Sequence, residues 1–235
     1  MATPSIESNA TGTKTGSGTC TCTLSTSTAN DWVIVAIYVE VTSGSAPAVS
    51  TVTSGSLTFA QVYRQNSSSK GSLEIWKAKA TSTLSSEVIS VTWAAAFDAA
   101  IVQALGIKDA DGTVPLDPNV SMPAGTSGGA GSWTPSHTIS TTNPNDLLLL
   151  WYGVAATGGG YPGPPASFTV YLQNTNGGGV NWCSLDIQYR SLSATQTSYA
   201  VTASASGNSA DAGESIIIAM RSEERRVGKE CLRLC

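Results

Sequence analysis

The chain has 235 residues, only 12% of them charged, with 12 Lys and Arg against 16 Asp and Glu for a net charge of −4. That length can bury a substantial core as one all-β domain. Cations this sparse exclude the clustered basic face that nucleic-acid binding needs, and the longest apolar runs, Trp32–Val39 and Leu147–Tyr152, are far short of the ~20 residues of a membrane-spanning helix.

The start, Met1-Ala2-Thr3-Pro4-Ser5-Ile6-Glu7, has neither the basic nor the apolar region of a Sec signal peptide. Residues 1–18 are polar and rich in Gly and Thr and are expected to form a flexible N-terminal arm. Strand signals follow at about 19–25, 32–41, 57–63, 72–79, 87–93 and 100–107, separated by turn clusters such as Ser43-Gly44-Ser45-Ala46-Pro47. A loop is expected over 109–132, where Asp111-Gly112, Pro115, Pro118 and Pro123 accumulate. The second half predicts strands at about 134–140, 146–156, 167–173, 181–190, 198–204 and 214–220, with Gly158–Gly160 and Gly177–Gly179 in its loops. No segment shows a helical period.

The two halves repeat. Asn30-Asp31-Trp32 through Val39 is echoed by Asn145-Asp146-Leu147 through Val154, Ser72-Leu73-Glu74-Ile75 by Ser184-Leu185-Asp186-Ile187, and Val91-Thr92 by Val201-Thr202. The offsets are 115, 112 and 110 residues, with order kept. Such self-similarity marks a repeated structural unit. The expected fold is all-β: a two-sheet, jelly-roll-like sandwich spanning 19–220, built from similar halves at about 19–108 and 133–220 by internal duplication. One interleaved body is preferred to two small sandwiches, because Trp32–Val39 is apolar on both parities and needs cover on both faces. In Leu185-Asp186-Ile187-Gln188 the parities alternate, which places Leu73 and Ile75 inward, with Glu74, Trp76 and Asp186 outward in water.

Asn145-Asp146-Leu147-Leu148-Leu149-Leu150, then a Pro/Gly loop, then Ser184–Arg190, then an alternating Thr/Ala strand and Glu214-Ser215-Ile216-Ile217-Ile218-Ala219 together resemble uncharacterised β-sandwich proteins of tailed-phage structural regions and bacterial surfaces. The resemblance covers about 19–220. It implies a virion-surface or extracellular location and carries over no catalytic residues. Separately, Arg221 to Cys231 resembles the translation of a short-read sequencing adapter, so 221–235 is read as an artefactual tail. Without its five basic and three acidic residues the balance is 7 against 13, or −6.

Chemistry-bearing residues are few. The single histidine, His137, falls at an inward strand position, and no Gly-x-Ser-x-Gly elbow accompanies it. The chain is therefore read as not an enzyme, with no cofactor. Glu74 and Asp186 hold equivalent positions and would be the pair to suspect for glycoside hydrolysis, but solvated strand faces account for them better. Asp109, Asp111 and Asp117 are weak Ca²⁺ candidates: the loop lacks a third ligand before Gly112 and a closing Glu, so no metal is assigned. Cys20, Cys22 and Cys183 read as small buried hydrophobes, with a Cys183 disulfide as the alternative. The aromatics are the best lead. Trp76 replaces Gln188 at the matching position, beside Glu74 and Lys77, while Trp133 and Tyr161 sit in Gly/Pro-rich loops. An exposed Trp with polar neighbours stacks on sugar rings. The expected function is a non-enzymatic structural or adhesion sandwich that assembles with itself or other virion proteins, the alternative being a carbohydrate-binding module for surface glycans.

Overall fold

The computed structural model describes residues 2–66, 70–128, 133–155, 161–178, 181–204 and 212–222. Among them are fifteen strands and no helix: β1 (Ser5–Gly16), β2 (Thr19–Leu24), β3 (Trp32–Glu40), β4 (Val49–Thr53), β5 (Ala60–Asn66), β6 (Gly71–Lys79), β7 (Glu87–Trp93), β8 (Phe97–Lys108), β9 (Ala124–Gly128), β10 (Ser136–Ile139), β11 (Leu147–Ala155), β12 (Thr169–Gly178), β13 (Asn181–Ser191), β14 (Tyr199–Thr202) and β15 (Ala212–Met220). All pairings between these strands are antiparallel.

The strands form four sheets, where two were expected. A three-stranded sheet, β2-β7-β4, covers the five-stranded β1-β8-β3-β6-β5; a two-stranded sheet, β10-β14, covers the five-stranded β12-β13-β11-β15-β9. The two large sheets pack on each other, with β8 over β13, β3 over β11, β6 over β15, and edges β1 and β5 over β12 and β9. Three apolar cores separate the four layers. On β3, Val33, Val35, Ile37 and Val39 enter the first outer core, while Trp32, Ile34, Ala36 and Tyr38 enter the central one. On β11, Leu147, Leu149 and Trp151 enter the central core, and Leu148, Leu150, Tyr152 and Val154 the second outer one. A strand covered on both faces must be apolar on both parities, which explains these two runs.

The halves share a strand order. Written from the strand that opens each half, the large sheets read β1-β8-β3-β6-β5 and β9-β15-β11-β13-β12, and β2-β7 corresponds to β10-β14. The second half has no described strand in the place of β4. Where the halves meet, equivalent positions interlock. Tyr38 and Gly153 lie eight residues into their repeats. The fully buried Tyr38 ring occupies the space a side chain on Gly153 would take: a Cβ there would sit 2.6 Å from its Cγ and closer still to Cδ2 and Cε2. One large and one absent side chain let the backbones approach where two equal ones would leave a gap or a clash.

Three strands depart from expectation. Ser5–Gly16, expected as part of a flexible arm, is a twelve-residue strand laddered along β8. β4 and β9 lie in segments expected as loop. All three are edge strands, so their placement comes from backbone pairing rather than from an apolar pattern of their own. Arg221 and Ser222, expected to open the tail, pack against the body: the Arg221 N–H donates to the Pro115 carbonyl at 2.7 Å, and Ser222 bridges Ala110. Residues 223–235 lie outside the described residues.

Candidate functional site

Glu74 and Trp76 lie on the face of β6 turned toward the first outer core, not toward solvent. Glu74 is 1% exposed, because β4 and the segment before it cover this face. The expectation of a solvated Glu74 is thereby corrected. Its carboxylate accepts three hydrogen bonds, from the Val49 N–H at 2.9 Å on Oε1 and from Gln61 Nε2 at 2.8 Å and Trp76 Nε1 at 3.0 Å on Oε2, and pairs with the Arg64 guanidinium, whose Nε lies 3.2 Å from Oε1. Arg64 also donates to Ser72 Oγ and to the Ala46 carbonyl. One buried charge therefore fastens edge strand β5, the start of β4 and the Trp76 ring to β6. Every lone pair of value is used internally, as a buried carboxylate requires.

The other aromatic candidates do not join Trp76. Its ring is half-buried against the first outer core. Lys77 projects to the opposite face of β6, its ammonium 5.6 Å from the centroid of the Trp32 ring, and burial lowers its pKa. Trp133 is buried in the second outer core, edge-on to Tyr152 at 6.2 Å and stacked over Gly128 and Gly213. Tyr161 is half-buried and donates its hydroxyl to the Asn174 carbonyl at 2.9 Å. Only Glu74 and Trp76 share a face; Lys77, Trp133 and Tyr161 lie elsewhere, so the five form no single platform. Gly158–Gly160, the loop beside Tyr161, lies outside the described residues.

Asp186, the repeat partner of Glu74, is also fully buried, which corrects its outward assignment. The second half places Gln173 opposite it, where Arg64 stands opposite Glu74. Asp186 accepts Gln188 Nε2 at 2.7 Å on Oδ2, while Oδ1 has no partner. Burial pushes its pKa up to about 7, with the Gln188 and Gln173 amides opposing the shift. Asp186, Tyr152 and Ser215 form one row across β13, β11 and β15. His137 from β10 closes on this row, its Nε2 2.6 Å from Ser215 Oγ. Burial holds the imidazole down to about 4, so it is neutral. Ser215 is wholly inaccessible, and a serine no substrate reaches is a packing group, not a nucleophile.

The acidic loop residues are likewise engaged. Asp111 Oδ1 accepts the Thr113 and Val114 N–H groups and the Thr113 hydroxyl. Asp117 accepts Asn119 N–H on Oδ1 and Thr142 on Oδ2. Asp109 is exposed at a cleft. These acids point to different partners, and no His/Cys/Asp/Glu group arranged to hold a metal occurs among the described residues. Cys20, Cys22 and Cys183 are free and buried, the first two in an outer core and the third in the central one. Burial raises Cys20 to about 11, Cys22 to about 12 and Cys183 well above the usual thiol value, so none is a reactive thiolate.

Two described clefts open on the surface. The larger, about 490 Å³, is bordered by Asn30, Asp31, Lys79, Lys108, Asp109 and Gly112. Its floor is braced by Lys79 Nζ on the Gly112 carbonyl and by Trp32 Nε1 on the Asp111 carbonyl. The smaller, about 120 Å³, lies between the halves, where Tyr171 and Tyr189 meet at 83° over Ile6 and Leu147, with Ser5 and Ser191 beside them.

The fold defines the class of protein: an all-β body of stacked antiparallel sheets, with its ionisable groups drawn largely into internal bracing. Comparison with protein-family models, curated proteins and solved structures found no match.

Proposed function

We propose that the chain is a non-enzymatic structural or adhesion sandwich, carried on the surface of a phage virion, which acts through its loops and by assembly with copies of itself or with neighbouring virion proteins. The observation that carries this reading is the Glu74 brace: the residue best placed by sequence for chemistry or sugar contact takes three internal hydrogen bonds and an ion pair and ties three strands together. The matching strand orders of the halves support an origin by internal duplication. The test is sedimentation of the purified chain over a wide concentration range, with hydrolysis assays alongside. Concentration-dependent assembly supports the proposal; a monomer that cleaves glycosides or esters overturns it.

The smaller cleft favours a second reading, a carbohydrate-binding module. Two tyrosine rings at a right angle offer apolar faces to sugar C–H groups, and serine hydroxyls flank them. On this reading the sugar site is Tyr171 and Tyr189 rather than Trp76. Saturable glycan binding abolished by both Tyr171→Ala and Tyr189→Ala supports it, and binding unaffected by either excludes that cleft.

A further inference from the structure

Each half fastens the segment that opens it through two carboxyl groups in contact. In the first half, Glu7 of β1 reaches the turn before β3. Its Oε1 accepts the Ser27 N–H at 2.9 Å, and its Oε2 lies 2.9 Å from the Ser27 hydroxyl and 3.0 Å from that of Thr28. Asp31 meets the same carboxyl side to side. It is 2% exposed, and its Oδ2 has no donor. The Thr28 hydroxyl also lies 2.7 Å from Asp31 Oδ1. One hydroxyl hydrogen cannot serve both carboxylates, so a further proton is needed in the cluster.

The second half builds the same arrangement. Asp117, ahead of β9, accepts the Thr142 N–H and hydroxyl, each at 2.7 Å, and the Asn143 N–H at 3.3 Å. Asp146 meets it side to side, is fully buried, and neither of its oxygens makes a hydrogen bond of ordinary geometry. Ser27, Thr28 and Asp31 precede Thr142, Asn143 and Asp146 by the same 115 residues. Two carboxylates in contact, one of them buried, repel strongly when both are ionised, whereas one proton shared between them makes a strong hydrogen bond.

We propose that these two carboxyl pairs are proton-operated clamps: holding one proton each they lock β1 and the 109–123 segment to the body, and losing it they loosen both, so that the protein is tightest in mildly acidic surroundings.

The titration directions agree. Burial and the Glu7 contact push Asp31 up to about 7, while Glu7 is held down to about 2 by the donors around it against the opposing effect of burial. Burial and Asp117 push Asp146 up to about 8, and Asp117 is lowered by the Asp146, Thr142 and Asn119 donors, again against burial. Other charged groups face each pair. Asp109 adds to the repulsion at Asp31, and Lys79 and Lys108 border the same cleft. Arg221 and the Ser222 N–H oppose the repulsion at Asp146. In the unfolded chain all four acids ionise near 4. Above that pH, each folded pair therefore keeps one proton more than the unfolded chain, and stability falls with rising pH until the pair ionises near neutrality.

Carboxyl-carbon NMR titration of the intact chain tests this directly. Asp31 and Asp146 are expected to titrate near neutrality, at least two pH units above ordinary aspartates; titration of both in the ordinary range overturns the proposal. The second readout is urea unfolding between about pH 5 and about pH 7. The unfolding constant should rise about tenfold per pH unit for each pair. In Asp31→Asn with Asp146→Asn this roughly hundredfold-per-unit contribution should vanish, leaving the opposed slopes of Asp186 and His137. An unchanged slope in the folded double variant overturns the clamps, since a purely structural role would lower stability equally at every pH.

Discussion

Replacing Gly153 by Ala probes the closest approach of the two halves. The new methyl would lie within 2.6 Å of Tyr38 Cγ, and nearer to Cδ2 and Cε2, where carbons rest at about 3.5–4.0 Å. Relief needs a shift of about 1 Å or more in a fully buried ring, or separation of β11 from β3 at the centre of both large sheets. Overpacking of this kind costs about 1–3 kcal/mol, and a ring with no free volume beside it belongs at the upper end. At roughly 2–4 °C per kcal/mol for a chain of this size, Tm should fall by about 6–12 °C. Differential scanning calorimetry measures it, and Tyr38→Leu in the same chain should recover part of the loss by making room. An unchanged Tm for Gly153→Ala, or a second substitution that only adds to the damage, would refute the interlocking of Tyr38 with Gly153.

Three further outcomes follow from the buried groups. Asp186→Asn removes a carboxyl whose pKa is raised from its ordinary value to about 7. Wild-type stability should fall by up to about 1.4 kcal/mol per pH unit between about pH 4 and about pH 7 from this residue alone. The variant, followed by urea unfolding across that range, should lose this slope and gain on the wild type as pH rises. Trp76→Ala should lower stability by about 2 kcal/mol through lost packing and the lost donor to Glu74, with glycan binding, measured by calorimetry, unchanged. Cys20, Cys22 and Cys183 should resist a thiol reagent in the native chain and react together on unfolding; rapid native labelling of any one would contradict its burial.

What was legible in the sequence follows how much each strand buries. β3 and β11 announce themselves because both of their faces enter cores, and the echo of Asn30–Val39 in Asn145–Val154 marks the equivalent centres of the two large sheets. The edges β1, β4 and β9 were silent: an edge strand gains its place from one ladder and needs few apolar residues. The outward assignment of Glu74, Trp76 and Asp186 failed for a related reason. Alternation distinguishes two faces but does not say whether the polar one meets water or a further layer. A repeated polar face, Glu74 beside Trp76 and Asp186 beside Gln188, was the available sign that partners lay across it. The carboxyl clamps escaped notice because Glu7 and Asp117 differ in type and lie outside the repeated blocks. The spacing of Ser27-Thr28 to Asp31, kept in Thr142-Asn143 to Asp146, was the signal that could have found them.

The most direct test of the central claim, that the ionisable groups brace a scaffold instead of forming a reactive site, is the melting temperature of Glu74→Gln. The amide brings two donors into a site composed of donors and removes the charge that Arg64 faces. Arg64 is 29% exposed, so water offsets part of the loss and about 2 kcal/mol remains. The account predicts a Tm lower by about 4–8 °C. Active-site carboxylates are held at a cost to stability, and neutralising them commonly raises it; a Glu74→Gln chain that melts at or above the wild-type temperature would contradict the account.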